Sequence, residues 1–462
     1  MNHYKTKATD KNGRFTLSID KLVDGGDGLA FNEKTAVFVP LAVPGDLIEA
    51  SWENKRKSYG FARIERIIKA SPERTQPPCP LFAPNGKNPG CGGCQWQMAQ
   101  YAYQLKAKKA IVGETFERIA KIPPGKLPLE DCVGMEEPWH YRNKVQYPLG
   151  RRDKRLILGY YARNSHNVID LENCPVELPI FDAVLPRVKK VLAQSGCPVY
   201  EEARHDGLLR YCCLRGSQRT NELLFIVVAR QQTPASFGRD LAQAGLPGLV
   251  GIVENVNPKK TNIIYGSASR ALWGRPYYHE KILNKTYRIS ATSFFQTNTA
   301  QAEKIIDDVI KHLPGRFDVA VDAYSGVGLF TLFLAERAKQ VIAIEEHPGS
   351  YEDARINGRS NGHDNIEWQN SRVENRLPGL AGAPDLVFLD PPRQGLDPKA
   401  AKALINLKPK KIVYLSCDPK TQARDIGLLA DAGYTLERLV PFDLFPHTYH
   451  IETLAYLASN GR

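Results

Sequence analysis

From about residue 286 onward, short apolar segments alternate with segments of helical periodicity, and this alternation restricts the possible folds more than any other feature. A helical pattern covers residues 301–313, and apolar strand patterns cover residues 318–322, 341–344, 385–389 and 411–415. Buried apolar strands that alternate with helices are typical of a parallel, doubly wound sheet. The sequence therefore predicts an α/β domain over residues 286–462, with a ligand beyond the carboxyl ends of the strands.

Two further regions precede this domain, so the prediction is a multi-domain α/β protein. Residues 10–69 contain short alternating strand patterns separated by glycine and Pro-Gly-Asp turns, as expected for a small β-barrel. Residues 70–285 begin with a loop rich in Pro, Gly and Cys, followed by a helical pattern with a basic face at 97–120. Mixed strand and helix patterns follow, which predict a central α+β domain.

The charge of the chain favours a polyanionic partner. Of 462 residues, 62 are Lys or Arg and 50 are Asp or Glu, which gives a formal net charge of +12. Residues 51–110 alone hold 11 basic and 3 acidic side chains, a net charge of +8. Because the excess is concentrated in about 60 residues, it resembles a nucleic-acid footprint more than a uniform basic surface. The 141–144 segment, Tyr-Arg-Asn-Lys, is a candidate phosphate or base contact, although a solvated basic strand end explains it nearly as well.

Several features bear on location and assembly. The first residues lack the apolar region of a secretory signal. No run of about 18 apolar residues is available to span a membrane. The nine cysteines are unevenly spaced, which favours metal binding or catalysis over a disulfide framework. We therefore expect a cytoplasmic protein with no membrane partner, and a monomer is favoured.

Polar residues that could bind a ligand follow the predicted strands of the C-terminal region. Tyr324 precedes a turn containing Gly326 and Gly328, where the backbone can approach a ligand closely. Glu345, after the next strand, can accept hydrogen bonds from both hydroxyls of a ribose. The turn lacks the full dinucleotide fingerprint, so the pattern favours S-adenosylmethionine over a dinucleotide.

Two later motifs supply a possible acid and a possible nucleophile. Asp390 begins an Asp-Pro-Pro-Arg segment, whose prolines stiffen the backbone and direct the carboxyl group into the crevice. A similar segment accepts hydrogen bonds from the target amine in amino-methyltransferases, which makes nitrogen methylation a competing reaction. Cys417 follows the next strand; free cysteines are often merely buried, but this one lies at the expected active edge.

The runs SFFQTN, DAYSGVGLF, DPPRQG, YLSCDP and HIETL occur in the order and spacing of the RNA uracil-5-methyltransferase family, which the chain resembles over nearly its whole length. The resemblance implies a C-terminal Rossmann-like class I methyltransferase domain, a TRAM or OB-like RNA-binding barrel at the N-terminus, and RNA as substrate. It implies as well that the central α+β domain at 70–285 binds RNA. It also implies that Cys417 is the nucleophile and Glu452 the base. By the same resemblance, five residues line the S-adenosylmethionine site: Gln296, Tyr324, Gly328, Glu345 and Asp390. Ser325 departs from the family pattern, because many members have cysteine there.

The cysteine loop predicts a metal centre. Cys79, Cys91 and Cys94 lie in one glycine-bent segment, and Cys174 is a distant fourth candidate. Four thiolates suit either zinc or an iron–sulfur cluster, and their spacing alone does not distinguish the two. The CGGC segment followed by Gln97 resembles the [4Fe–4S] site of the family, so the resemblance implies that cluster, with zinc as the alternative.

Three functions remain to be compared: a uracil-5-methyltransferase, an amino-methyltransferase, and an RNA-binding module without activity. Cys417 and Glu452 favour the first. The layout of barrel, cluster and methyltransferase domain favours 23S ribosomal RNA as the substrate, with transfer RNA as the alternative.

Overall fold

The computed structural model describes residues 13–83, 90–153 and 155–460. Residues 10–12 of the predicted barrel lie outside these ranges. The architecture is mixed α/β, with three large sheets and one hairpin, as the sequence predicts in outline. No helix in the described ranges is both long enough and apolar enough to cross a membrane.

The first sheet has six strands in the order β1-β5-β6-β4-β3-β2. Its strands are β1 Arg14–Ser18, β2 Lys21–Leu22, β3 Gly28–Asn32, β4 Thr35–Val39, β5 Leu47–Lys55 and β6 Tyr59–Lys69. The alternating pattern predicted here buries every second side chain, among them Phe15 and Leu17 of β1. The assignment of this sheet as a TRAM barrel stays a prediction.

A long helix, α1 (Tyr101–Ile119), follows the cysteine loop and confirms the helical pattern at 97–120. Its basic face is not entirely solvated, because Lys108 is fully buried. The second sheet has seven strands in the order β13-β12-β11-β10-β7-β8-β9. These strands are β7 Lys144–Arg152, β8 Arg155–Tyr161, β9 Val168–Asp170, β10 Leu209–Ser217, β11 Glu222–Ala229, β12 Leu249–Val256 and β13 Ala268–Gly274. Helices α2 (Pro179–Gln194) and α3 (Phe237–Ala242) accompany it.

A hairpin of β14 (Tyr277–Ile282) and β15 (Lys285–Ser290) leads into the C-terminal region. The hairpin spans the predicted boundary at residue 285, and the boundaries 10–69, 70–285 and 286–462 stay predictions. Helix α4 (Thr299–His312) follows, and the side chain of its N-cap residue Asn298 accepts a hydrogen bond from the backbone N–H of Gln301 at 3.1 Å.

The third sheet has seven strands in the order β18-β17-β16-β19-β20-β22-β21. Its strands are β16 Phe317–Ala323, β17 Ala338–Glu345, β18 Ile366–Asn370, β19 Leu386–Leu389, β20 Lys411–Ser416, β21 Tyr434–Phe442 and β22 Glu452–Ser459. Its helices are α5 Leu329–Ala335, α6 Pro348–Ser360, α7 Val373–Arg376, α8 Pro398–Leu407 and α9 Pro419–Asp431.

This sheet confirms the predicted doubly wound arrangement and adds one difference. Strands β16 to β20 are parallel, but β22 inserts between β20 and β21 and is antiparallel to both. The strand order reverses between β16 and β19, which creates a crevice at their carboxyl ends. The reversal point therefore locates the candidate site.

Candidate active site

The sheet register places Cys417 and Glu452 next to each other, although 34 intervening residues separate them in the sequence. Strand β20 ends at Ser416, which pairs with Thr453 of the antiparallel strand β22. Cys417 and Glu452 are the next residues of the two strands, at the same edge. The Thr453 hydroxyl donates to the Ser416 carbonyl at 3.3 Å and to the amide oxygen of Gln422 at 2.6 Å, which fixes this corner.

Cys417 lies between the end of β20 and the start of helix α9. Asp418 caps that helix, because its carboxylate accepts the backbone N–H of Lys420 at 2.8 Å. The thiol is partly buried and opens into a cavity of about 220 Å³. Side chains from three regions line this cavity: Asp24, Ile111, Thr115, Arg393, Lys420, Tyr449 and His450.

Burial raises the pKa of the Cys417 thiol to about 12, and the nearby carboxyl groups of Glu452 and Asp390 add to the increase. The charge of Arg393 and its hydrogen bond to the thiol act in the opposite direction. Burial likewise raises the pKa of Glu452 well above its ordinary value, with a further contribution from Asp390. Two carboxyl groups and one thiol thus share a small buried volume, and Arg393 is a cation that can favour their ionised forms.

Asp390 follows β19, the parallel neighbour of β20. Burial raises the pKa of its carboxyl group to about 8, and the charge of Asp322 adds to the effect. The amide nitrogen of Gln296 donates to Asp390 Oδ2 at 3.3 Å. The structure therefore brings Gln296 and Asp390 together, and their role in the S-adenosylmethionine site stays a prediction.

The glycine turn after β16 has the shape of a ligand cradle. Tyr324, Gly326 and Gly328 all have positive φ, at 70°, 56° and 86°. A Cβ atom on Gly328 would lie 3.1 Å from the ring of Trp368, and the positive φ would strain any other residue at this position. The backbone N–H of Gly326 donates to Glu345 Oε2 at 2.9 Å, which joins the turn to the end of β17. Each carboxylate oxygen of Glu345 keeps a lone pair for a further donor.

The motif analysis did not select three residues at this site and one exposed aromatic residue close to Gln296 in sequence. Asp322 is buried at the end of β16, and its Oδ1 atom has no hydrogen-bond partner within the described part of the chain. Arg393 and His450 line the cavity of Cys417, and Phe294, two residues before Gln296, is 59% exposed. Each of the four lies inside one of the motifs DAYSGVGLF, DPPRQG, HIETL and SFFQTN, so the motifs could have identified them from the sequence.

The four candidate cysteine ligands line one small cavity. Cys79, Cys91, Cys94 and Cys174 surround it together with apolar side chains. Gln97 accepts the backbone N–H of Cys79 at 3.3 Å, which ties the CGGC segment to the first cysteine. Within residues 13–83, 90–153 and 155–460, no group of three or more His, Cys, Asp or Glu is arranged to hold a metal ion.

Comparisons with known proteins agree with this geometry. The family model described as tRNA (uracil-5-)-methyltransferase matches residues 279–460. An uncharacterized RNA methyltransferase of Halalkalibacterium halodurans is 37% identical over 455 residues, 97% of each chain. One from Gloeobacter violaceus is 37% identical over 448 residues, 96% of each chain. The solved tRNA (uracil-54, C5)-methyltransferase of Pyrococcus abyssi, in complex with S-adenosyl-L-homocysteine, has a TM-score of 0.73 and 27% identity, covering 96% of this chain and 99% of its own.

Proposed function

Because this chain belongs to the RNA uracil-5-methyltransferase family, we propose that it methylates C5 of a uridine in structured RNA through a covalent adduct on Cys417. The observation that carries the proposal is the adjacency of Cys417 and Glu452 across strands β20 and β22, beside Asp390. A thiol and a carboxyl group at one point supply the nucleophile and the base that carbon methylation needs.

The proposed reaction assigns one task to each group. The Cys417 thiolate adds to C6 of the uracil and places electron density on C5, which is otherwise a poor nucleophile. S-adenosylmethionine, when bound, supplies an electrophilic methyl group. After C5 has been methylated, the Glu452 carboxylate removes the C5 proton, the C6–sulfur bond breaks, and the ring regains its double bond. Arg393 favours the thiolate and the carboxylate by its charge.

The residues at the reversal point fit S-adenosylmethionine. The turn leaves open space beside Gly326, where a ligand can approach the backbone. Glu345 can accept hydrogen bonds from the ribose hydroxyls of S-adenosylmethionine. The Oδ1 atom of Asp322, which has no partner within the described residues, can accept one from its ammonium group. Asp390 acts on the Cys417 thiol and is contacted by Gln296. We propose that Tyr324 also lines the S-adenosylmethionine site. Burial raises the pKa values of Asp322 and Asp390, so both carboxyl groups are easily protonated. The positive charge of a bound ligand would favour their ionised forms, and the ionised carboxylates would in turn attract the ligand.

We also propose a [4Fe–4S] cluster on Cys79, Cys91, Cys94 and Cys174, with zinc as the alternative. The support is the position of all four cysteines around one cavity. The test is iron and sulfide content after anaerobic purification. Stoichiometric zinc without iron would contradict the cluster.

The RNA substrate has two candidates. Large-subunit ribosomal RNA is preferred because the resemblance in domain layout favours it. Transfer RNA is the second candidate, because the solved Pyrococcus abyssi relative is a tRNA enzyme by its name. Mapping 5-methyluridine in ribosomal and transfer RNA from cells with and without the gene distinguishes them, since the lost modification identifies the substrate.

The decisive test of the chemistry uses an RNA substrate carrying 5-fluorouridine at the target. Fluorine cannot leave as a cation, so the Cys417 adduct should persist after methyl transfer. The adduct should require S-adenosylmethionine, map to the Cys417 peptide, and be absent from Cys417→Ala. Absence of any adduct in the wild-type protein, with binding of both substrates demonstrated, would refute Cys417 as the nucleophile.

A further inference from the structure

The central sheet carries a cleft much larger than the cavity at Cys417. Its volume is about 840 Å³, within the range of about 300–1,000 Å³ typical of pockets for small molecules. The floor consists of β7, β8 and the start of β10, and aromatic and basic side chains project from it. The residues used below are Arg142, Lys144, Arg151, Tyr160, Tyr161 and Tyr211.

Two cationic groups of the cleft, Lys144 and Arg151, have no salt-bridge partner within the described ranges. The charge of the third, Arg142, acts on the buried carboxyl group of Glu177. Burial lowers the pKa of Lys144 to about 8, and the charge of Arg215 adds to the effect. Two nearby acids on the 201–206 segment already have cationic partners: Glu201 pairs with Arg204 at 3.5 Å, and Asp206 pairs with Arg230 at 3.7 Å. The uncompensated charge of the floor is therefore positive.

Aromatic rings lie beside these cations. Tyr161 stacks on His166 with ring centroids 5.3 Å apart, and its hydroxyl lies 3.4 Å from that of Tyr211. The Arg142 guanidinium lies 6.0 Å from the ring centre of Tyr160. Aromatic faces beside basic groups suit unstacked nucleotides, because the rings stack on bases while the cations contact phosphates.

The cleft continues into the candidate active site. Arg142 and Lys144 flank Asn143, whose side chain donates to the Gln296 carbonyl at 3.0 Å. The Asn143 backbone N–H donates to the Thr297 carbonyl, also at 3.0 Å. Gln296 in turn contacts Asp390. One strand thus connects the floor of the cleft to the residues around the target base.

We infer that this cleft is a second RNA-binding pocket, which holds an unpaired segment adjoining the target uridine in the same RNA. The inference rests on the proposed function for its ligand. The aromatic rings stack on the bases of the segment, and the cations contact its phosphates. Binding there offsets part of the cost of extracting the target base from its stack.

The test measures binding of a fluorescein-labelled single-stranded oligouridine of twelve nucleotides by fluorescence anisotropy. Three variants change the cleft: Tyr211→Ala removes a ring, Lys144→Gln removes a charge, and Asn262→Glu adds a negative charge at an exposed rim position. Each should raise the Kd by at least about fivefold. Trp273→Ala is the control, because Trp273 is also exposed but lies on β13, at the opposite edge of the sheet.

All four variants should keep the wild-type Kd for S-adenosylmethionine and the wild-type Tm. Because Asn262 is exposed, Asn262→Glu should fold normally and so tests the cleft even if one of the other two cleft variants does not fold. Unchanged oligouridine affinity in Lys144→Gln and Asn262→Glu would overturn the inference. That result together with normal methylation by the wild type would leave the proposed function standing. The converse outcome is a wild-type protein that forms no 5-methyluridine while the cleft variants still bind oligouridine more weakly. That result would refute the proposed function and support RNA binding by the cleft.

Discussion

Lys108 of helix α1 and Asp443, which follows strand β21, form an ion pair whose side chains are both fully buried. The Lys108 ammonium group also donates to the carbonyls of Phe445 at 3.2 Å and His450 at 2.8 Å. Glu452 is two residues beyond His450. Lys108 therefore joins the helix after the cysteine loop to the segment that precedes the proposed base.

The first prediction concerns this pair. Lys108→Met should lower the free energy of unfolding by about 3–5 kcal/mol, because it leaves the Asp443 carboxylate buried without a charge partner. Methylation should also slow, since the 443–451 segment loses three hydrogen bonds. Urea unfolding gives the first quantity and single-turnover methylation the second.

The matched control is the next residue, Lys109, which pairs with Asp131 at 2.8 Å on the surface. Lys109→Met should cost at most about 1 kcal/mol, because an exposed pair is screened by water. Equal losses of unfolding free energy in the two variants would show that the buried pair stabilises the fold no more than the exposed pair does.

A second prediction separates methyl transfer from product release. Glu452→Gln should form the Cys417 adduct and accept the methyl group, but release should stall because the C5 proton has no acceptor. A covalent protein–RNA species carrying a radiolabelled methyl group should accumulate on a denaturing gel. Turnover at the wild-type rate would assign proton removal to another group.

The third prediction addresses the reactivity of the thiol. Since burial raises the pKa of Cys417 to about 12, its alkylation by iodoacetamide should keep accelerating up to at least pH 10. Arg393→Met should slow alkylation at pH 8 by about tenfold or more, because a nearby cation stabilises a thiolate. Peptide mass spectrometry reports modification of Cys417 separately from the other cysteines.

Arg424→Met is the corresponding control. Arg424 pairs with Asp425 at 2.7 Å and does not line the cavity of Cys417. Its loss should leave the alkylation rate within about twofold of wild type, as expected for a change outside the thiol's surroundings. Similar slowing in both variants would indicate a general loss of structure.

The fourth prediction is a dependence of stability on pH. Burial raises the pKa of Asp322 to about 7 and that of Asp390 to about 8, from an ordinary value of 3.8. At these two groups the folded state binds more protons than the unfolded state, so their contribution to stability should fall as pH rises from about 4 to 8. Other buried acids with raised pKa values, such as Glu177 at about 7, act in the same direction. The lowered pKa values of His447 and His450 act in the opposite direction below about pH 6.5.

Asp390→Asn should flatten this decline, since the substitution removes one titrating group whose pKa is raised in the folded state. Urea midpoints at pH 5, 6, 7 and 8 measure the slope. Asp318→Asn, at an exposed carboxylate, should leave the slope unchanged. A wild-type slope in Asp390→Asn would mean that Asp390 is already ionised at pH 5.

The sequence by itself determined the order of elements in the C-terminal domain and the positions of its motifs. Alternating apolar and helical patterns are local properties, because each reflects which side chains of one segment are buried. Helix α4 and strands β16, β17, β19 and β20 accordingly occur where these patterns predict them. Cys417 and Glu452 were recognisable because each lies in a short motif at a strand end.

Only the tertiary structure decided which distant residues meet. The insertion of β22 between β20 and β21 brings Glu452 beside Cys417, and strand order is not contained in the periodicity of any one segment. The Lys108–Asp443 pair joins residues 335 apart, and the Asn143–Gln296 contact joins residues 153 apart. Such contacts depend on how whole sheets and helices pack together, so local sequence patterns predict the individual residues but not their partners.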